Sequence, residues 1–388
     1  MRNVEADAIS VQHDIRERSD RLQIALNKTF GVTHETRLAV GATGLNRIVQ
    51  GAAFPESIPA FSGIREAYVT MQGDPDLLYV GKRRILQSGT PDFPSAMANV
   101  MSNLLLRDFN VEYRWRDIVS EFTSPSDFRP QQRGRMGFIE DLPDVGEDEP
   151  YDELVSNGDE GYQLTVNQKG GTLTVTRRAI LADDVGAVQR LVAQAGRAAW
   201  RTLAKRVWNL VISNAVYGAD GLPVFHTDHG NLGSTALSIA GLDAGRLAIF
   251  NQCEPGSTQR MGLGRKLFLA VPIELESKAR QLGLCELDPS DVTKANPWKF
   301  RLGPNCEQVF ANPLFDDQDD YYLFDTSGDV GLVEVGFLHG QQSPQIIVSN
   351  SATSGQTFSQ DRYTWKLRHE YEVAVADFRG MWKSVVAA

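Results

Sequence analysis

A chain of 388 residues, 42% hydrophobic and 23% charged, is long enough for two or three domains with ample buried apolar area, and its composition excludes a disordered or fibrous polypeptide. The formal net charge of −10 excludes the broad basic surface of a wholesale nucleic-acid binder and leaves room only for a local patch. No run of eighteen apolar residues occurs and Met1–Asp7 lacks the apolar core of a signal peptide, while Cys253, Cys285 and Cys306 are odd in number and widely spaced; neither a membrane span nor a disulfide or zinc framework is indicated, and a reducing cytoplasm fits best.

From Met1 to about Gly89 the pattern is weak. It suggests a polar helix near Asp14–Phe30, a Gly-rich break at Gly41–Gly44 and a short amphipathic helix over Ile58–Met71 with Phe61, Ile64 and Tyr68 on one side. This region reads either as an arm that packs on neighbours or as a small helical subdomain. Gly89-Thr-Pro-Asp-Phe-Pro then opens a helix whose apolar face (Ala96, Met97, Val100, Met101, Leu104, Leu105) ends near Arg107-Asp108 and needs a partner. Tyr113–Phe122 is compatible with strand or helix.

Between Arg129 and Lys169 the charges segregate. Arg129, Arg133 and Arg135 lie close together, and Glu140–Glu153 then packs eight acids into fourteen residues. Met136–Leu142 and Gly161–Val166 are expected to pair as a long hairpin with the acidic run at its tip. Such a hairpin is marginal alone and implies a surface to lie on. One reading docks it on a copy of itself, with Arg129, Arg133, Arg135, Glu147, Asp148, Glu149, Asp152 and Glu153 as contact candidates; the blander one is a solvated acidic loop.

Thr172–Thr176 alternates as a strand and leads into Arg177-Arg-Ala-Ile-Leu-Ala-Asp-Asp184. From Asp183 to Ala215 apolar residues recur at Val185, Val188, Leu191, Val192, Ala195, Ala199, Leu203, Val207, Leu210 and Val211, the three-and-four spacing of one helix face, with Tyr217-Gly218 expected as the stop. A helix of roughly 33 residues spans about 50 Å, more than a compact core needs. A helix over Leu242–Gln252, a buried strand over Arg265–Pro272, a helix over Ile273–Leu282 and strands at Tyr321–Phe324, Gly331–Val335 and Gln345–Val348 follow, an α+β pattern. At the end Tyr363, Trp365, Leu367, Tyr371, Val373 and Val375 alternate with Thr364, Lys366, Arg368, Glu370 and Glu372, which predicts a strand far longer than the usual five or six residues with one wet face.

Catalytic chemistry is thin. His226, Asp228 and His229 form the one cluster of metal-type ligands, yet no helical His-Glu-x-x-His spacing accompanies it, and a hydrogen-bonded turn leading to Gly230-Asn231 is the preferred reading. Asp316–Asp320 lacks the Gly and closing Glu of a calcium loop. No nucleophile elbow, phosphate loop or dinucleotide fingerprint is present.

Thr90-Pro-Asp-Phe-Pro, Asp127-Phe-Arg129, Gly146-Glu147, Arg177–Asp184, Asp220-Gly-Leu-Pro-Val-Phe-His-Thr-Asp-His-Gly-Asn-Leu232 and Leu269-Ala-Val-Pro272 resemble the major capsid proteins of tailed bacteriophages, nearest the Mu-like prophage major head subunit type. The resemblance runs from about Gly89 to Ala388. It implies the α+β shell fold shared by phage capsids and encapsulins: an amino-terminal arm and helix over 1–128, an extended loop over 129–168, a peripheral domain with spine helix over 169–224 and 349–388, and an axial domain over 225–348. It also implies a non-enzymatic subunit without cofactors or metal that forms hexamers and pentamers of an icosahedral head. That head is assembled in a bacterial cytoplasm with a portal and with scaffold, protease or decoration proteins, and it encloses DNA without sequence-specific binding and with no membrane. The alternatives are an encapsulin-like compartment around a cargo enzyme and, further off, a metal-dependent hydrolase at His226, Asp228 and His229.

Overall fold

The computed structural model describes residues 17–40, 46–73, 93–108, 113–135, 137–139, 141–142, 144–145, 151, 153–154, 156–348 and 362–386. They fall into two compact units, one of 1–111, 168–202 and 341–370 and the other of 112–167, 203–340 and 371–388. The Gly41–Gly44 break lies outside the described residues.

In the first unit the weakly patterned amino-terminal region is folded into a core. Helical residues 17–29 and the helix Ile64–Gln72 bury Leu26, Phe30, Ile64, Tyr68 and Met71 in one cluster with Phe93, Met97, Met101 and Leu104 of the helix Phe93–Asp108. Val188, Val192, Tyr363 and Trp365 complete it, so the unpartnered face expected on the Phe93 helix is covered within its own unit. Trp365 fits its polar edge into this apolar setting by donating Nε1–H to the Pro94 carbonyl at 3.1 Å. Strands His34–Val40 and Asn46–Ala53 pair antiparallel where no strand was expected.

The long helix runs Val185–Ile212, 28 residues or about 42 Å, shorter at both ends than the periodicity predicts. Asp184 caps it through Oδ1, accepting from Ala187 N at 2.8 Å. Asp183 instead takes a left-handed conformation (φ 54°) and turns its carboxylate to the amide of Arg65 at 3.0 Å, at the start of another helix. The helix stops at Asn214, also left-handed at φ 50°, with Ala215 N bonding to Leu210 O and Asn214 N to Val211 O, the paired closure that an αL residue after a helix allows. The stop thus falls ahead of the Tyr217-Gly218 expected from the sequence.

The second unit centres on a five-stranded sheet ordered Val309–Ala311, Leu267–Val271, Tyr321–Asp325, Met381–Ser384, Leu232–Gly233, with the two outer pairings parallel and the two central ones antiparallel. Every residue of Leu267–Val271 and Tyr321–Asp325 is buried, which is why both read as apolar runs without alternation. The helix Ile239–Phe250 is capped by Ser238 and lies close on this sheet at Gly245, where a side-chain carbon would come within 2.7 Å of Leu323 and Trp382. Trp208 is ringed by Phe310, Phe315 and Phe324.

The carboxy-terminal strand Arg362–Val375 has the predicted length, 14 residues. In the first unit Trp365–Arg368 pairs with Gln345–Val348; in the second, Tyr371–Val375 pairs with Val333–Phe337, which is joined in parallel by Val119–Thr123. The wet face is not uniform: Glu372 is buried, accepting from Asn167 and Arg206.

Candidate inter-subunit hairpin and its ion-pair base

All of the following lies in the second unit. The hairpin forms, but in a different register from the one expected. Gln131–Arg135 pairs antiparallel with Glu160–Leu164, Arg133 facing Tyr162 and Arg135 facing Glu160, and Phe138–Ile139 then pairs with Ser156–Asn157. The sequence Gln-Gln-Arg-Gly-Arg has no apolar alternation, so nothing local marks it as strand; its partners are remote.

Glu334 sits in the middle of the buried strand Val333–Phe337 and is fully buried. An isolated carboxylate there would cost several kcal/mol, so partners are obligatory. Arg133 supplies Nε at 3.1 Å, Tyr162 donates its hydroxyl at 2.6 Å, and Thr123 donates to the same carboxylate. The cross-strand pair Arg133 and Tyr162 thus clamps one carboxylate from both strands of the hairpin. Burial first, then the bond to Glu334, pushes the Tyr162 phenol far above its ordinary range, so it donates at every physiological pH.

The second pair in the register works with Asp377 and Arg379. Arg135 reaches Glu254 at 2.9 Å and also bonds Asp377. Arg379, itself buried, meets Glu160 with both nitrogens of its fork, at 2.8 and 2.6 Å, contacts Asp377 at 3.1 Å and donates Nε to the Cys253 carbonyl at 3.0 Å. Tyr217 completes the chain by donating to Glu160 at 2.8 Å. Burial works to raise the Glu160 pKa, but the Arg379 bond and charge, the Tyr217 hydroxyl and the Arg135 charge outweigh it, and the carboxyl is held below its ordinary value.

The tip is the opposite. Asp141, Asp144 and Glu153 are exposed, and beside them Leu142, Tyr151 and Leu154 leave 75%, 87% and 47% of their surface open, with Ile139 and Val145 also exposed. Among the candidates, Arg129 is exposed and Arg133 and Arg135 are engaged in their own chain; Glu147, Asp148, Glu149 and Asp152 lie outside the described residues. Glu254, Glu334, Asp377 and Arg379 escaped notice in the sequence. The available signal was a lone Glu inside Gly-Leu-Val-Glu-Val, where a charge in an apolar run demands a partner.

His226, Asp228 and His229 build a turn. His229 is buried flat against Phe378 at 3.8 Å between ring centres, its Nε2 2.7 Å from Asp220 and its Nδ1 3.0 Å from the Val224 carbonyl, so both nitrogens face oxygen acceptors. His226 Nδ1 accepts from Asp228 N at 3.2 Å. Among the described residues no group of three or more His, Cys, Asp or Glu is placed to hold a metal.

The chain belongs to the phage capsid protein family, whose model matches residues 160–384, more than half of its length and beginning at the second strand of the hairpin. Membership makes it a structural protein of the virion, working as many copies of itself in a shell. Among solved structures it is similar to the procapsid of bacteriophage JBD30 (17% identity, 76% of each chain covered, TM-score 0.41) and to the capsid of an empty GTA particle (10% identity, 72% of this chain and 91% of that one, TM-score 0.45). It is also similar to a virus-like particle from Pyrococcus furiosus (10% identity, 74% of this chain and 97% of that one, TM-score 0.40). At such scores these likenesses carry no argument of their own, and the assignment rests on the family match. No curated protein matches the chain.

Proposed function

We propose that this chain is the major subunit of an icosahedral phage head of the Mu-like prophage head subunit type, closing as hexamers and pentamers around double-stranded DNA. It assembles in the bacterial cytoplasm with a portal and with scaffold, protease or decoration proteins. The observation that carries the proposal, beyond the family itself, is the tip of the hairpin. A segment bearing open Leu142, Tyr151 and Leu154 above a base locked by buried ion pairs is a stable element with an uncovered contact surface. In this reading 129–168 is the extended loop lying on a neighbouring subunit, 1–128 the arm and helix, 169–224 with 349–388 the peripheral domain, and 225–348 the axial domain. The net charge of −10 suits a wall that confines DNA without gripping it.

The test is negative-stain microscopy of the purified protein beside the variant Glu147→Lys, Asp148→Lys, Glu149→Lys. Wild-type shells with a variant that stays folded but unassembled support the reading; wild-type protein that remains monomeric under all assembly conditions overturns it. Particles recovered from cells with protein cargo in place of genome-length DNA would move the assignment to an encapsulin-like compartment.

A further inference from the structure

Between Glu254 and Glu274 the sequence holds no Asp or Glu, in a chain of net charge −10. The loop that leads from Cys253 to the buried strand Leu267–Val271, all of it in the second unit, carries Arg260, Arg265 and Lys266 across that gap. All three are exposed, and none forms an ion pair among the described residues. Asp325, which faces Leu267 across the sheet, is buried and spends its oxygens on the amides of Gly264 at 2.7 Å and Ser327 at 3.0 Å. On the hairpin, Asp141 reaches the loop but accepts from Gln259 at 3.1 Å. Gly262 and Gly264 turn the chain through the left-handed region (φ 66° and 85°), which glycine enters without strain, and Leu263 between them is buried. The turn gathers the cations. Arg265 lays Nη2 3.9 Å from where a side-chain carbon on Gly262 would stand, and Arg246 of the helix Ile239–Phe250 passes 3.7 Å from the same point on Gly264. The amides of Gly262 and Arg265 donate to nothing among the described residues. The loop thus shows solvent three long cations and unspent N–H donors, with Met261 half-buried as its one apolar side chain besides Leu263.

We propose that the Arg260–Lys266 loop contacts the phosphate backbone of duplex DNA without regard to sequence, a step that deepens the shell reading above and rests on it. Phosphate oxygens match what the loop offers. An arginine fork meets them with two parallel bonds, a lysine as a point charge, and backbone N–H groups are common partners of the same oxygens. Contacts to nucleic acid are more polar and more cationic than contacts between proteins, whose apolar side chains would find little on this loop to cover. The acidic remainder of the chain repels DNA, so one such loop on each subunit holds the polymer at points and leaves it free to slide. This is the local patch for which the overall charge leaves room.

The test is fluorescence anisotropy of a labelled DNA duplex titrated with unassembled subunits at several salt concentrations from about 50 mM upward. Each phosphate contact contributes about −0.9 to the slope of log affinity against log salt. The loop variant Arg260→Gln, Arg265→Gln, Lys266→Gln should therefore flatten the slope by about 2.7 and weaken binding by about tenfold or more at the lowest salt. The variant Arg190→Gln, Arg197→Gln, Arg201→Gln makes the same change in net charge at exposed residues of the first unit and should stay within about twofold of the wild type. Equal losses from both variants would reveal diffuse attraction and overturn the loop as the site, as would a loop variant that binds like the wild type. Two duplexes of unrelated sequence should bind alike; a tenfold preference between them would overturn recognition through phosphate. Poly-glutamate that displaces the labelled duplex at a lower concentration of charge than unlabelled duplex does would overturn the proposal in favour of an acidic polypeptide. Inorganic phosphate that displaces it well beyond chloride at equal ionic strength would overturn it in favour of the free ion. Should circular dichroism find the triple loop variant unfolded, Lys266→Gln alone reads the same slope, expected about 0.9 flatter. Wild-type subunits that bind the duplex but never close into particles would sink the shell reading and leave the contact standing; subunits that assemble yet bind no duplex would sink the contact alone.

Discussion

The base and the tip of the hairpin each carry a glutamate and a tyrosine, and these meet opposite fates. At the base Arg133, Arg135, Tyr162 and Glu160 spend their polar groups on Glu334, Glu254, Asp377 and Arg379 of their own chain. At the tip Asp144, Glu153, Leu142 and Tyr151 stand in solvent. The difference teaches that charge density does not by itself mark an interface: a charge whose partner is buried in the same chain holds the element in place, and only the uncommitted remainder is available to a neighbour. Arg133 and Arg135, grouped with the docking charges by their spacing, belong to the anchoring set.

The sharpest way to break the comparison is at Arg379. Arg379→Met leaves Glu160 and Asp377 without their shared cation in a buried setting, a loss of about 3–5 kcal/mol. Urea unfolding of unassembled subunits should show the midpoint falling with little change in slope. Arg379→Lys should recover little of it, since a single ammonium cannot meet both oxygens of Glu160. A variant as stable as the wild type would mean that the base is ornamental.

Acid separates the base from the rest of the molecule. In the first unit, burial above all, with the Lys169 charge adding to it and the bond to the Gln342 carbonyl opposing it, pulls the His369 pKa from 6.5 down to about 4. The unfolded chain therefore takes up this proton first. Stability falls as pH drops from about 6.5 to about 4 and no further, by about 3 kcal/mol in all. Glu160 has the opposite charge type and a folded pKa held below 4.5, so its contribution is complete above that value and is lost only as pH falls through the lower folded one. Stability curves of wild type and Glu160→Gln should run parallel between pH 6.5 and 4.5 and draw together only below, where the wild type alone loses the Glu160 contribution; His369→Gln should flatten the upper range alone.

Glu334→Gln sharpens the contrast further. It keeps the shape and one acceptor for Tyr162 but removes the charge opposite Arg133, which is partly exposed and can turn to water. A loss of about 1–3 kcal/mol is expected, smaller than at Arg379 because only one side of the pair is deeply buried.

How far the sequence carried depended on whether a feature was local. The long helix, the Phe93 helix, the 14-residue strand and the apolar strands at Leu267 and Tyr321 are written in periodicity, since each buries a regular face. The anchoring of the hairpin is not. Arg133 meets a residue 201 positions away and Arg135 one 242 positions away, and the polar Gln131–Arg135 carries no alternation to fix its register. The paired strands over 34–53 were lost for a different reason: His-Glu-Thr-Arg-Leu-Ala-Val has neither the spacing of a helix nor the alternation of a half-buried strand.

The smallest effect is expected where the side chain is most open. Tyr151 leaves 87% of its surface exposed, so in the isolated subunit Tyr151→Ser removes almost no buried area and should shift stability by no more than about 0.5 kcal/mol. In a shell the same ring would be covered, and an aromatic anchor at a protein contact is worth about 2 kcal/mol or more when truncated. Assembly should then need a higher subunit concentration, by roughly tenfold for every 1.4 kcal/mol lost per contact. Light scattering against subunit concentration reads this directly. A variant unchanged in both stability and critical concentration would place Tyr151 in solvent even in the particle, and the uncommitted part of the hairpin would shrink to its charges.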